Sequence, residues 1–148
     1  MKGVIFIGIQ ASGKSTYFLQ NLHQTHLRLN MDMLKTRHRE KILFNACLEA
    51  KQPVVIDNTN PTKADRATYI EAFKTHKFDV VGYYFAANIT ECLKRNAERE
   101  GKEKIPDVGI KSTYSKLELP DYNEGFDTLY YVSIENGQFL VSEWKDEI

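Results

Sequence analysis

One eight-residue segment constrains this chain more than any other. Residues 8–15 read Gly-Ile-Gln-Ala-Ser-Gly-Lys-Ser, directly after the apolar run Val4-Ile5-Phe6-Ile7. A strand that runs into a turn bracketed by two glycines must reverse sharply at Gly8 and Gly13. Successive backbone N–H groups then point at one place, which suits a chain of phosphates. Gly8, Ala11, Ser12 and Gly13 form the expected cradle. Lys14 is placed to reach the β- and γ-phosphates, and the Ser15 hydroxyl to ligate Mg²⁺. Thr16 completes the set, and the helix starting near Gly13 adds its positive dipole end. An ordinary glycine-rich turn is the plain alternative, but the preceding strand and following helical pattern argue against it.

Strand and helix patterns alternate along the rest of the chain. Val4 to Ile9 reads as a strand buried on both faces, and Gly13 to Leu22 as a helix with Phe18, Leu19 and Leu22 at core spacing. A short strand follows over Leu27 to Asn30. Next comes a long helix from Asp32 to Ala50, with Leu34, Ile42, Leu43, Ala46 and Leu48 inward. Val54-Val55-Ile56 is a strand, and Ala64 to Lys74 a helix with Ala67, Ile70 and Phe73 inward. Phe78 to Phe85 is a strand, and Ile89 to Glu100 a helix stopped by Gly101. A charged linker over 101–106 precedes a helix from Pro106 to Leu117. Asn136-Gly137 between alternating apolar residues predicts a closing β-hairpin. Alternating βα units predict an α/β chain with the P-loop NTPase fold: a central parallel sheet flanked by helices and ending in an antiparallel hairpin. No repeat or boundary interrupts residues 1–148, which read as one domain with a flexible lid around 99–106.

Bulk composition narrows the partners. Twenty basic and twenty acidic residues give a formal net charge of zero, so any polyanion must be gripped locally rather than by a broad basic face. Cys47 and Cys92 lie far apart on predicted helices, which suits a reducing compartment rather than a disulfide framework. No apolar run is long enough to span a membrane and no secretory leader is visible, so a cytoplasmic protein with no membrane partner is expected. Oligomeric state is not set by these features.

Several residues carry chemistry on the expected ligand-facing edge of the sheet. Asp32 follows the second strand, where a carboxylate could take a proton from an attacking hydroxyl; Asp is equally a favoured helix cap. Asp57 ends an apolar strand, as does the second acidic element of phosphate-loop enzymes, and so could share the Mg²⁺ shell with Ser15, partly through water; it also suits a turn. Asn58, Thr59 and Asn60 could bond a substrate or cap the next helix. Lys35 lies one predicted turn beyond Asp32 on the same face, within the basic cluster Lys35, Arg37, His38, Arg39 and Lys41. Arg95 and Arg99 share a predicted helical face and could close over phosphates, or decorate a solvated surface. Tyr83, Tyr84, Tyr114, Tyr122, Tyr130 and Tyr131 could stack bases, although packing suits most of them better.

These segments resemble the kinase domain of the polynucleotide 5′-hydroxyl kinases. The resemblance rests on Gly8 to Thr16, on Asn30-Met31-Asp32, and above all on Val-Val-Ile-Asp-Asn-Thr-Asn-Pro at 54–61. Lys94-Arg95-Asn96, Arg99, Ile105-Pro106, Tyr114 and Gly125-Phe126 follow in family order. It implies ATP (or another nucleoside triphosphate) and Mg²⁺ bound by Lys14, Ser15 and Thr16, with Asp32 as general base. Arg99 would sit on the transferring phosphate, Arg95 near the nucleotide, and Asp57 at the acceptor or metal. The implied acceptor is the 5′-OH end of DNA or RNA. A small-molecule kinase for a sugar, nucleoside or metabolite, and a non-catalytic nucleotide-binding module, are the alternatives. Met31 replaces a family arginine. Lys35 stands where a phage member of that family has an arginine on the acceptor phosphate, and a lysine cannot fork onto two oxygens. No Asp-x-Asp-Gly-Thr phosphatase motif is present.

Overall fold

Residues Val4 to Ile7 are all at most 2% exposed because β1 (Lys2–Ile7) has a parallel strand on either side. The computed structural model describes residues 1–86, 88–101 and 104–145. Its strands form one sheet. On one side of β1 lies β3 (Val54–Ile56) and then β2 (Leu27–Leu29) at the edge. On the other side lie β4 (Asp79–Phe85) and β5 (Thr128–Glu135), also parallel, and then β6 (Gln138–Glu143), antiparallel to β5. The hairpin turn has φ of 53° at Asn136 and 74° at Gly137, the doubly left-handed turn that matches strand twist. The predicted α/β class, the parallel sheet and the closing hairpin are therefore all present.

Helices cover both faces. α1 (Lys14–Asn21) packs Tyr17 and Phe18 on Val4, Phe6, Val55 and Phe85. On the opposite face, α3 (Arg37–Ala50) and α4 (Lys63–Thr75) bring Phe44, Leu48, Tyr69, Ile70 and Phe73 onto Ile5, Leu29, Val54 and Ile56. α5 (Ile89–Ala97) and α6 (Asp107–Lys116) close the carboxyl end of β1, where Cys92 and Ile110 pack on Ile9 and Ala11. Both cysteines are buried and free. Most tyrosines pack: Tyr83 lies against Phe6, Tyr17 and Tyr130, and Tyr84 against Tyr131 and Trp144. Tyr114 and Tyr122 are exposed.

Three helical expectations need correction. The predicted helix over 32–50 is two helices. α2 (Met31–Leu34) ends at Lys35, whose φ is 74°, and Thr36 caps α3 by accepting from Arg39 N at 3.1 Å. Lys35 and Asp32 therefore do not share a helical face. The buried face of α3 is Glu40, Phe44, Cys47 and Leu48, which leaves Ile42, Leu43 and Ala46 exposed. Likewise Tyr17 rather than Leu19 faces inward on α1, and Arg66 and Tyr69 rather than Ala67 on α4. Finally, α5 stops at Ala97, so Arg99 lies beyond its last turn and not on the Arg95 face. The predicted lid spans Lys102 and Glu103, which lie outside the described residues, as do Ala87 and residues 146–148.

Candidate active site

The carboxyl ends of β1, β2 and β3 open onto one crevice of about 800 Å³, within the size range of ligand sites. The glycine turn forms one wall. Gly13 has φ of 98°, and a Cβ on Gly8 would stand 2.9 Å from Ser12 Oγ. Ala11 also takes a left-handed φ, 63°, normally disfavoured for a side-chain-bearing residue. Arg95 holds that turn from outside: its Nη1 donates to the Ala11 carbonyl at 2.7 Å.

Lys14 lies inside the turn. Its ammonium donates to the Gly8 and Ile9 carbonyls at 2.9 and 2.8 Å. Burial pushes its pKa down to about 8, opposed by the Asp57 and Asp32 carboxylates and assisted by Arg99. A buried cation held by two carbonyls and, at 3.5 Å, by the Ser12 hydroxyl favours an arriving anion.

Asp57 extends β3 past its last paired residue. Its Oδ2 accepts from Ser15 Oγ at 3.2 Å and from Arg28 Nε at 2.7 Å. The Ser15 and Asp57 oxygens suit a hard divalent cation. Among the described residues no group of three His, Cys, Asp or Glu side chains is placed to hold a metal, so water and phosphate oxygens would have to complete the shell of a bound cation.

A polar lattice sets the remaining wall. Asn30 Nδ2 donates to the Asp57 carbonyl at 2.7 Å, and Asn30 Oδ1 caps α2 by accepting from Met33 N. Asn58 Oδ1 accepts from Met31 N at 3.0 Å, while Asn58 Nδ2 donates to Glu40 at 3.1 Å. Glu40 is 6% exposed and also receives Tyr69 Oη at 2.9 Å and Arg37 Nη1. The short helix carrying Asp32 is thus pinned through Asn58 to a buried carboxylate.

Of the residues singled out in sequence, Ala11, Gly13, Lys14, Ser15 and Thr16 line the crevice together with Asp32, Lys35, Asp57, Asn58, Thr59 and Arg99. Gly8, Ser12, Asn60 and Arg95 stand behind it. Asn60 is 4% exposed and its amide donates to the Phe6 carbonyl. Sequence pattern alone does not single out Arg28 or Glu40. An arginine between two leucines on a short strand is the available signal for the first; nothing local distinguishes the second.

A family model described as an AAA domain matches residues 32–120, more than half of the chain. The chain belongs to the AAA domain family. Residues 8–15 precede the matched span. The bifunctional polynucleotide phosphatase/kinase of Schizosaccharomyces pombe is 28% identical over 127 residues, covering 83% of this chain and 31% of that protein. The L-seryl-tRNA(Sec) kinase of Methanococcus maripaludis is 27% identical over 143 residues, covering 84% and 55%. The chain therefore spans about a third to a half of the length of these relatives. Among solved structures, Kti12 of Chaetomium thermophilum in complex with ADP-AlF3 aligns with a TM-score of 0.64 at 16% identity, over 88% of each chain. That likeness shows the P-loop fold. Among the described residues no helix is long and apolar enough to cross a membrane.

Proposed function

We propose that this domain is an ATP-dependent phosphotransferase acting on a hydroxyl, with the 5′-hydroxyl end of DNA or RNA as acceptor. One observation carries the reading: Asp32, Lys14 and Arg99 line the same crevice as the phosphate-binding turn. Lys14 would exchange its two carbonyl bonds for phosphate oxygens. Arg99 would neutralise charge on the phosphoryl in transfer. Asp32, on α2, would align the incoming hydroxyl and accept its proton. Ser15, and Asp57 through water, would hold Mg²⁺, whose charge would steady the phosphate chain when bound.

Three features support a polynucleotide acceptor: the segments 30–32 and 54–61, the Schizosaccharomyces pombe relative's name, and two cations, Lys35 and Arg37, on the crevice wall. A smaller alcohol is the second reading, favoured by zero net charge. The test is transfer of labelled γ-phosphate to 5′-OH DNA, 5′-OH RNA and a panel of small alcohols. Oligonucleotide labelling that is lost in Asp32→Asn supports the first reading. Labelling of small alcohols alone supports the second. No transfer to any alcohol removes the kinase reading.

A further inference from the structure

Arg28 occupies the corner where a divalent cation would be held. Strand alternation places Leu29 in the core under α3 and α4, so Arg28 stands on the α1 face. From there its fork reaches both oxygen ligands of the candidate metal site. Nε donates to Asp57 Oδ2 at 2.7 Å, and Nη2 donates to Ser15 Oγ at 2.8 Å. Those two oxygens are themselves 3.2 Å apart, so a single planar cation closes a ring with both. Asp57 is 1% exposed and Arg28 28%, so the carboxylate lies deep at the crevice wall while the guanidinium keeps a solvent-facing side. Arg28 lies outside the segments that resemble the polynucleotide kinases, and the matched family span begins beyond it.

We propose that Arg28 is a resident cation that competes with the divalent ion for Ser15 and Asp57 and partly replaces it in holding the nucleotide. This rests on reading the crevice as a nucleotide site. The physical argument is charge. A buried carboxylate needs a counter-charge whether or not metal is present. Two cations drawn to one carboxylate repel at short range, so tighter metal must come at the expense of the arginine contact. The guanidinium has five N–H groups and uses two on these partners, leaving others for phosphate oxygens when metal is scarce. Arg28 thereby sets how strongly metal and nucleotide binding depend on each other, a positioning role with its own signature.

The signature is a gain that damage to the fold would not produce. Titrate Mn²⁺ into the protein–ADP complex, reading free Mn²⁺ by electron paramagnetic resonance, and measure ADP affinity by calorimetry in EDTA and in saturating Mg²⁺. In Arg28→Gln, whose amide can still donate to Asp57, Mn²⁺ should bind about tenfold more tightly, a coupling of ordinary size. ADP affinity in EDTA should fall, while affinity in Mg²⁺ changes less. Arg28→Lys keeps the charge but cannot span both oxygens, and should lie between; it carries the comparison if the glutamine variant does not fold. Wild-type ADP affinity should differ by less than about fivefold between EDTA and Mg²⁺, the low end of such couplings. Unchanged or weaker Mn²⁺ binding in both variants, with ADP still bound, overturns the role of Arg28 and leaves the nucleotide site standing. Absence of ADP binding by the wild type overturns both.

Discussion

The side-chain amide of Asn30 donates to the backbone carbonyl of Asp57 at 2.7 Å, tying the end of β2 to the end of β3. The Asp57 amide returns a bond to the Leu29 carbonyl at 2.9 Å. The segment carrying the candidate base and the segment carrying the candidate metal carboxylate are therefore one rigid edge. Asn30 also caps α2, so it does two jobs with one side chain. Asn30→Ala should lower stability by about 1–2 kcal/mol, the scale of a missing cap. Transfer should slow while ADP affinity holds. Asn30→Asp keeps the cap but cannot donate to the Asp57 carbonyl, so it should recover stability more than rate. Urea unfolding and phosphate-transfer assays on the two variants separate these effects.

Asp32 lines the crevice and takes no part in the hydrophobic core. Asp32→Asn should reduce transfer by about 10²–10⁴-fold, the usual contribution of a positioned base. Nucleotide affinity and the thermal midpoint should stay at wild-type values. A variant that kept its transfer rate would remove Asp32 from the chemistry.

Lys35 lines the crevice from a left-handed turn between α2 and α3. If the acceptor is a single strand, Lys35→Ala should raise KM for oligonucleotides with little change in kcat. The dependence of binding on salt should become shallower by about 0.7 in log–log slope, the value for one fewer phosphate neutralised on single-stranded nucleic acid. A slope that does not move places the acceptor phosphates elsewhere.

Tyr69 donates to buried Glu40 and accepts from Arg37. Burial first, and then Glu40, push its pKa up to about 12 from 10.0. Below pH 10 folded and unfolded chains both hold this proton, and its stabilising effect is complete. Between pH 10 and 12 the unfolded chain releases it and the folded chain keeps it, so stability falls as pH rises. Tyr69→Phe should cost about 1.5–3 kcal/mol at neutral pH, as for a bond to a charged group. It should also flatten part of the alkaline fall, measured as urea midpoints at about pH 9 and about pH 11, either side of the ordinary tyrosine value. Tyr17, Tyr83 and Tyr84 are shifted upward too, so a residual slope should survive.

Arg66 is wholly buried and pairs with Glu124 at 2.9 Å, while also donating to the Asn60 and Glu118 carbonyls. It thereby ties the loop after β3 to the chain beyond α6. Arg66→Met should destabilise by about 3–5 kcal/mol because the largely enclosed Glu124 carboxylate loses its partner. The double variant with Glu124→Gln should lose less than the two single effects added, read from a double-mutant cycle in urea.

What the chain determines locally was legible without coordinates. The phosphate-binding turn needs glycine where the backbone must reverse, and that need is satisfied within residues 8–15. The Asn136-Gly137 turn follows from the same kind of requirement. Apolar runs bounded by turn residues marked each strand to within about two residues. The break at Lys35 was not visible, because no glycine or proline stands there; Thr36 as a cap was its only local trace. Ile42 and Leu43 misled because the inward face of α3 runs through Glu40, Phe44, Cys47 and Leu48, which leaves both of them on the outside.

The glycine turn over 8–15, the order of βα units and the carboxylate that ends β3 each depend on neighbours in the chain, so the residues alone record them. The meetings of Arg28 with Asp57 and of Glu40 with Tyr69, partners 29 residues apart in both cases, arise from how the elements pack. A charged side chain is stable in such a place only when a distant element brings its counterpart to it, and no local pattern records where that counterpart will be.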